Sequence, residues 1–183
     1  VVSGTCASGN SLLVNGDFSQ GNVGFTSDYA LVAPPAQITP AGEYAITQNP
    51  GNGISTWSDW GSFTAPGGSG NMLAANGATT PNSPVWIETV PVEPGTTYTF
   101  SYSVAKVDDD DTNSTFYATL QTYVNSVPVG NPYTLNSAFS VWTQYSTTWS
   151  SGTSTSATIS IVDTTDQDTW NDFALDLLSF CSD

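Results

Sequence analysis

What most constrains this chain is a two-residue rhythm. In Thr97–Val104, Tyr98, Phe100, Tyr102 and Val104 alternate with Thr97, Thr99, Ser101 and Ser103, the signature of a strand with one face buried. Phe116, Ala118 and Leu120 alternate in the same way with Tyr117, Thr119, Gln121 and Tyr123, and Ala157, Ile159 and Ile161 with Thr158 and Ser160. Further strands are expected at Leu12–Asn15, Glu43–Thr47, Asn71–Asn76, Val85–Val90, Val141–Trp149 and Asp172–Phe180. No stretch repeats apolar residues at helical spacing over three turns, and strong helix formers are scarce. Turn signals separate the strands: Asn15-Gly16, Pro50-Gly51-Asn52-Gly53, Pro66-Gly67-Gly68, Asn76-Gly77 and Pro94-Gly95. The expected fold is all-β, a sandwich or barrel of about nine antiparallel strands. Nothing divides residues 11–183 into two domains, and residues 1–10 read as an N-terminal arm.

Charge narrows the function. The 183 residues carry one Lys or Arg against 16 Asp and Glu, a net charge of −15, and no His. The single cation is Lys106. Nucleic acid is excluded as a partner because nothing here could release its counterions, and anionic membranes recruit Lys/Arg clusters that this chain lacks. The absence of His removes Ser-His-Asp and Cys-His catalysis and the usual zinc ligand. Disorder is excluded as well, since 38% of residues are hydrophobic and only 9% charged. No apolar run is long enough to insert in a membrane. Two carboxylates can hydrolyse glycosides, but among 16 acids some pair falls at a suitable distance by chance, so no enzyme is expected on that ground.

Cys6 and Cys181 stand at opposite ends of the chain. Paired, they close a loop whose entropic effect is nominally ~4–5 kcal/mol. The alternative is two buried free thiols; a catalytic thiol would need an activating His. A disulfide is expected, and with it an oxidising, secreted or cell-surface setting. The chain opens on Val1 rather than Met, as a processed, exported product would and as a trimmed chain would.

Three segments resemble galactose-binding-like jelly rolls among carbohydrate-binding modules, broadly those of families four, nine and twenty-two. They are Leu12-Leu13-Val14-Asn15-Gly16-Asp17-Phe18-Ser19-Gln20-Gly21, the run from Val85-Trp86-Ile87-Glu88-Thr89-Val90 through Pro94-Gly95-Thr96-Thr97-Tyr98-Thr99-Phe100, and Asn171-Asp172-Phe173-Ala174-Leu175-Asp176-Leu177-Leu178-Ser179-Phe180. Their order and spacing cover the chain from about residue 11 to 180. The resemblance implies a jelly-roll β-sandwich, non-catalytic glycan binding, and a structural Ca2+ shared by the opening and closing segments. Carried over by position, Asp176 supplies a carboxylate together with the turn after Phe18, at Ser19, and Asp17 is the acid that could compensate where this sequence departs from the pattern. Ser19 stands where the pattern has Glu and Leu177 where it has a second acid.

Other candidates come from the residues themselves. Asp108, Asp109, Asp110 and Asp111 form an acidic run followed by a glycosylation sequon at Asn113, and Asp163, Asp166, Asp168 and Asp172 form a second acidic group. Either reads as a solvated loop or as a second calcium site. The second group lacks the glycine and terminal Glu of an EF-hand. For a sugar, stacking aromatics with polar neighbours are the stronger signal: Trp57, Asp59 and Trp60 in a Gly-rich loop, and Tyr117, Gln121 and Tyr123 on one strand face. Two functions follow. One is a secreted glycan-binding domain. The other is a subunit that binds copies of itself in an extracellular filament, sheath or surface layer, with calcium at the acidic loops to offset repulsion.

Overall fold

The structure, a computed structural model, describes residues 6, 11–66, 70–109, 117–167 and 169–183. Asp110, Asp111, Asn113 and Asp168, and all of the 1–10 arm except Cys6, lie outside the described residues. Among the described residues ten strands form two sheets. One has the order β1-β2-β3-β10-β5-β8, with β1 Ala30–Leu31, β2 Glu43–Thr47, β3 Met72–Asn76, β5 Thr97–Lys106, β8 Thr143–Ser150 and β10 Phe173–Ser182. The other has the order β4-β9-β6-β7, with β4 Pro84–Pro91, β6 Thr119–Val124, β7 Val127–Thr134 and β9 Ser156–Asp163. The pairings are antiparallel except for the short β1–β2 contact, which is parallel. The protein is an all-β jelly-roll sandwich.

The alternation decides which side chains meet between the sheets. Phe100, Tyr102 and Val104 of β5 and Phe173, Leu175 and Phe180 of β10 oppose Trp86 of β4, Leu120 of β6 and Ile159 and Ile161 of β9, all buried. Trp86 stacks on Phe100 at 6.0 Å, and Tyr98 on Phe180 at 4.9 Å. Each such side chain contributes roughly 1.5–3 kcal/mol by leaving water. Within β10 the register slips between Asp176 and Ser179, with Leu177 at φ 51°. That bulge resets the alternation, so that Leu178 and Phe180 join the core that Phe173 and Leu175 began.

A second, smaller cluster lies on the outer face of the larger sheet. Ala45, Ala74 and Ala174 are register partners across β2, β3 and β10. This row of small side chains lets the loop between β2 and β3 settle onto the sheet with Trp60 and Ala65 buried against Met72 and Val107.

Three local expectations need correction. Leu12–Asn15 is not a strand. It touches β10 through isolated bonds, Leu12 N–H to Phe180 O and Leu178 N–H to Gly16 O, and then turns. The buried Asn15 organises that turn, donating from Nδ2 to Gly21 O and Val23 O and accepting from Gln20 N–H. Gly16 is required because a Cβ there would collide with the Leu178 carbonyl. Of the strand expected over 116–123, Phe116 lies outside the described residues and Tyr117 and Ala118 precede the ladder, which begins at Thr119; β7 is not anticipated by the sequence. Pro128, Gly130 and Pro132 make β7 read as a loop, and prolines of this kind belong on an edge strand, which β7 is. Its hairpin with β6 turns on Asn125 and Ser126, both at positive φ. Cys6 and Cys181 are joined in a disulfide, their Cα atoms 5.4 Å apart. No helix among the described residues is long and apolar enough to cross a membrane.

Candidate functional site

The site begins with the loop that carries Trp57 and Trp60. Residues 59–61 pair with 107–109 in an isolated antiparallel bridge: Gly61 N–H donates to Val107 O at 3.1 Å and Asp109 N–H to Asp59 O at 2.8 Å. The bridge brings the acid of this loop beside the acids that follow β5. Trp57 is 50% exposed, and its indole N–H donates to Thr39 O at 3.0 Å. One edge is anchored while the ring remains accessible. Trp170, half-buried at φ 67°, immediately precedes Asn171, Asp172 and β10. Trp57, Asp59, Asn76, Thr169, Trp170 and Asp172 line a cavity of about 140 Å³.

Beneath it is an acidic pair. Asp172 Oδ2 accepts the Trp60 indole N–H at 2.7 Å. Asp108 is 1% exposed, and neither of its carboxyl oxygens has a donor. Its side chain faces the carboxyl of Asp172. Two acceptors in contact are compatible only if they share a proton. Burial, chiefly, pushes both carboxyls up from the usual carboxylate range; the Asp172 charge raises Asp108 further, and the Trp60 indole N–H partly offsets the rise at Asp172. The two carboxyls therefore hold one proton between them, and both are raised by burial.

The remaining predicted residues are dispersed. Trp60 is 5% exposed, so it is a packing residue and an anchor for Asp172 rather than an open stacking surface. Gln121 is buried and donates its amide to Thr122 O and Val129 O, filling the register slip between β6 and β7. Tyr117 lies with its ring centroid 5.6 Å from Lys106 Nζ, while Tyr123 borders a separate cavity with Asn82 and Ser160. They do not form one binding face. Asp163 accepts from Thr119 N–H, Thr165 N–H and Asn171 Nδ2, which makes it a structural carboxyl. Asp109 and Asp166 are exposed.

At the opening segment, Asp17 Oδ1 accepts from the Ser19 hydroxyl and amide. Asp176 is buried and accepts from Leu177 N–H; burial foremost, with the nearby Asp17 charge, raises its pKa to about 7. Among the described residues no three Asp, Glu, His or Cys side chains converge as a metal-binding group. Asp17 and Asp176 are hard-oxygen donors suited to Ca2+, so an ion here would rely on these two carboxylates plus carbonyl oxygens and water.

The sequence reading missed Trp170, Asn76 and Thr169, and it placed Asp108 and Asp172 in different groups. The one local signal is Trp170 two positions before Asp172; the rest depends on the bridge between residues 60 and 108.

No family model matches the chain, and no curated protein matches it. Solved structures do. The CBM22-1 xylan-binding domain of Paenibacillus barcinonensis Xyn10C aligns with a TM-score of 0.54 at 13% identity, over 91% of this chain and 90% of that one. A family 16 carbohydrate-binding module aligns with a TM-score of 0.50 at 15% identity, over 92% and 98%. An arabinose-bound MgGH51 α-L-arabinofuranosidase aligns with a TM-score of 0.56 at 13% identity, but over only 26% of its length against 94% of this chain. The chain has the β-jelly-roll fold of carbohydrate-binding modules.

Proposed function

We propose that this chain is a secreted, non-catalytic carbohydrate-binding domain and that sugar enters the cavity bordered by Trp57 and Trp170. One observation carries the reading: an anchored but half-exposed indole shares a ring-sized cavity with a second Trp and the carboxylates of Asp59 and Asp172. Indole faces suit the C–H faces of a pyranose, and carboxylates accept from its hydroxyls. The disulfide supports an extracellular location. On a glycan array, Trp57→Ala and Trp170→Ala should each weaken binding about tenfold or more, with Trp142→Ala as a control. Failure of the unaltered protein to bind any glycan overturns the reading.

A second reading is favoured by the edge of the larger sheet. β8 ends that sheet and has no charged residue and no proline in Thr143–Ser150, so it lacks two of the devices that block strand addition by another copy. In this reading Ca2+ at Asp17 and Asp176 lowers the repulsion between subunits of charge −15. Sedimentation with Ca2+ and with chelator tests both parts. Assembly that needs Ca2+ and is lost in Asp176→Asn supports them, and a monomer in both conditions rejects them.

A further inference from the structure

The cavity's polar groups are unbalanced in a way that bears on its ligand. Asp59 and Asp172 place carboxylates on its wall. The Asn76 amide, a donor there, is already directed to Thr39 O at 3.2 Å. Directly behind Asp172 is Asp108, a carboxyl 1% exposed with no donor to either oxygen. The Lys106 side chain is buried, 1% exposed, with its Nζ over the Tyr117 ring, and does not line the cavity. The chain as a whole has no Arg, no His and a net charge of −15.

Such a cavity offers acceptors and negative potential, together with two aromatic faces. Neutral hydroxyls can use the acceptors, but a cationic donor gains additionally from the charge and from the negative π-faces of Trp57 and Trp170. An anionic sugar meets no cation among the lining residues and is repelled by two carboxylates. The volume, about 140 Å³, accommodates roughly five waters, about what a single pyranose ring displaces. We infer that the cavity prefers a sugar bearing a free amine, a 2-amino-2-deoxy pyranose in its ammonium form, over acetylated, neutral or acidic counterparts. The inference rests on the glycan-binding reading above.

The discriminating experiment is calorimetric titration of the full chain in low-salt buffer near neutral pH. The ligands are a glucosamine tetramer, its fully N-acetylated form, xylotetraose and a galacturonate tetramer. The glucosamine tetramer should bind about tenfold more tightly than its acetylated form, the scale of one charge-assisted hydrogen bond. Added salt should narrow that ratio, and the galacturonate should bind most weakly. Asp59→Asn should bring the glucosamine and N-acetyl affinities together. Equal affinity for the amine and its acetylated form overturns the inference while leaving glycan binding intact. A preference that survives Asp59→Asn unchanged overturns its assignment to this cavity. No binding by any of the four overturns the inference, and the reading beneath it falls as well only if the glycan array is also blank.

Discussion

Asp163 and Asp108 are both buried carboxyls at strand ends, 3% and 1% exposed, and the structure treats them in opposite ways. Asp163, the last residue of β9, receives three donors, from the Thr119 and Thr165 amides and the Asn171 side chain. Asp108, two residues beyond β5, receives none and faces another acid. The first uses its oxygens as acceptors to fasten the start of β6 to the loop leading into β10. The second shares a proton with Asp172 behind a solvent-accessible cavity. A carboxyl that organises the fold is recognised by its donors; one that tunes a site is recognised by their absence.

The comparison can be broken in several places. The largest effect is expected from Asp163→Ala, which leaves three donors without an acceptor and should cost about 3 kcal/mol in urea unfolding. A smaller loss would mean that water replaces the carboxyl.

Next comes pH. Burial raises Asp163 and Asp176 from 3.8 to about 7, against the pull of their hydrogen bonds, and raises Asp108 and Asp172 in the same direction. The folded protein therefore holds these protons more tightly than the unfolded chain. Their contribution is fully present below the ordinary carboxyl value and is lost as pH rises through about 7. Melting temperature should be higher at pH 5 than at pH 8, by an amount equivalent to about 2 kcal/mol; the reverse order would refute the burial of these groups. Asp108→Asn, which supplies an N–H to Asp172 and removes the titrating partner, should raise stability by about 1 kcal/mol at pH 8 and flatten the pH profile. The smallest effect is expected from Asp166→Asn, on an exposed side chain, which should leave the melting temperature unchanged.

Legibility followed the range of the interactions. Glu43–Thr47, read from five residues alone, coincides with β2, because alternation is written into neighbouring positions. β7 was hidden by Pro128 and Pro132, whose place at a sheet edge is a tertiary fact. Trp57 and Asp59 were found by type and spacing and do line the cavity, whereas Trp60, three residues from Trp57, was placed in the same set and is buried. Nothing local distinguishes the two indoles. What separates them is the alanine row across β2, β3 and β10, assembled from residues 45, 74 and 174. The meeting of Asp108 with Asp172 is equally non-local, arising from a bridge and a sheet order that no short window contains.

The Cys6–Cys181 bond has a mechanical meaning. Cys181 belongs to β10, which lies between β3 and β5 near the middle of the larger sheet. Tension applied through chain before Cys6 and after Cys181 passes directly from one sulfur to the other. The 175-residue separation between them is bypassed, and neither sheet bears the load. A domain fastened in this way can be pulled by its ends without extension while the bond is intact, and its sheets are loaded only after reduction.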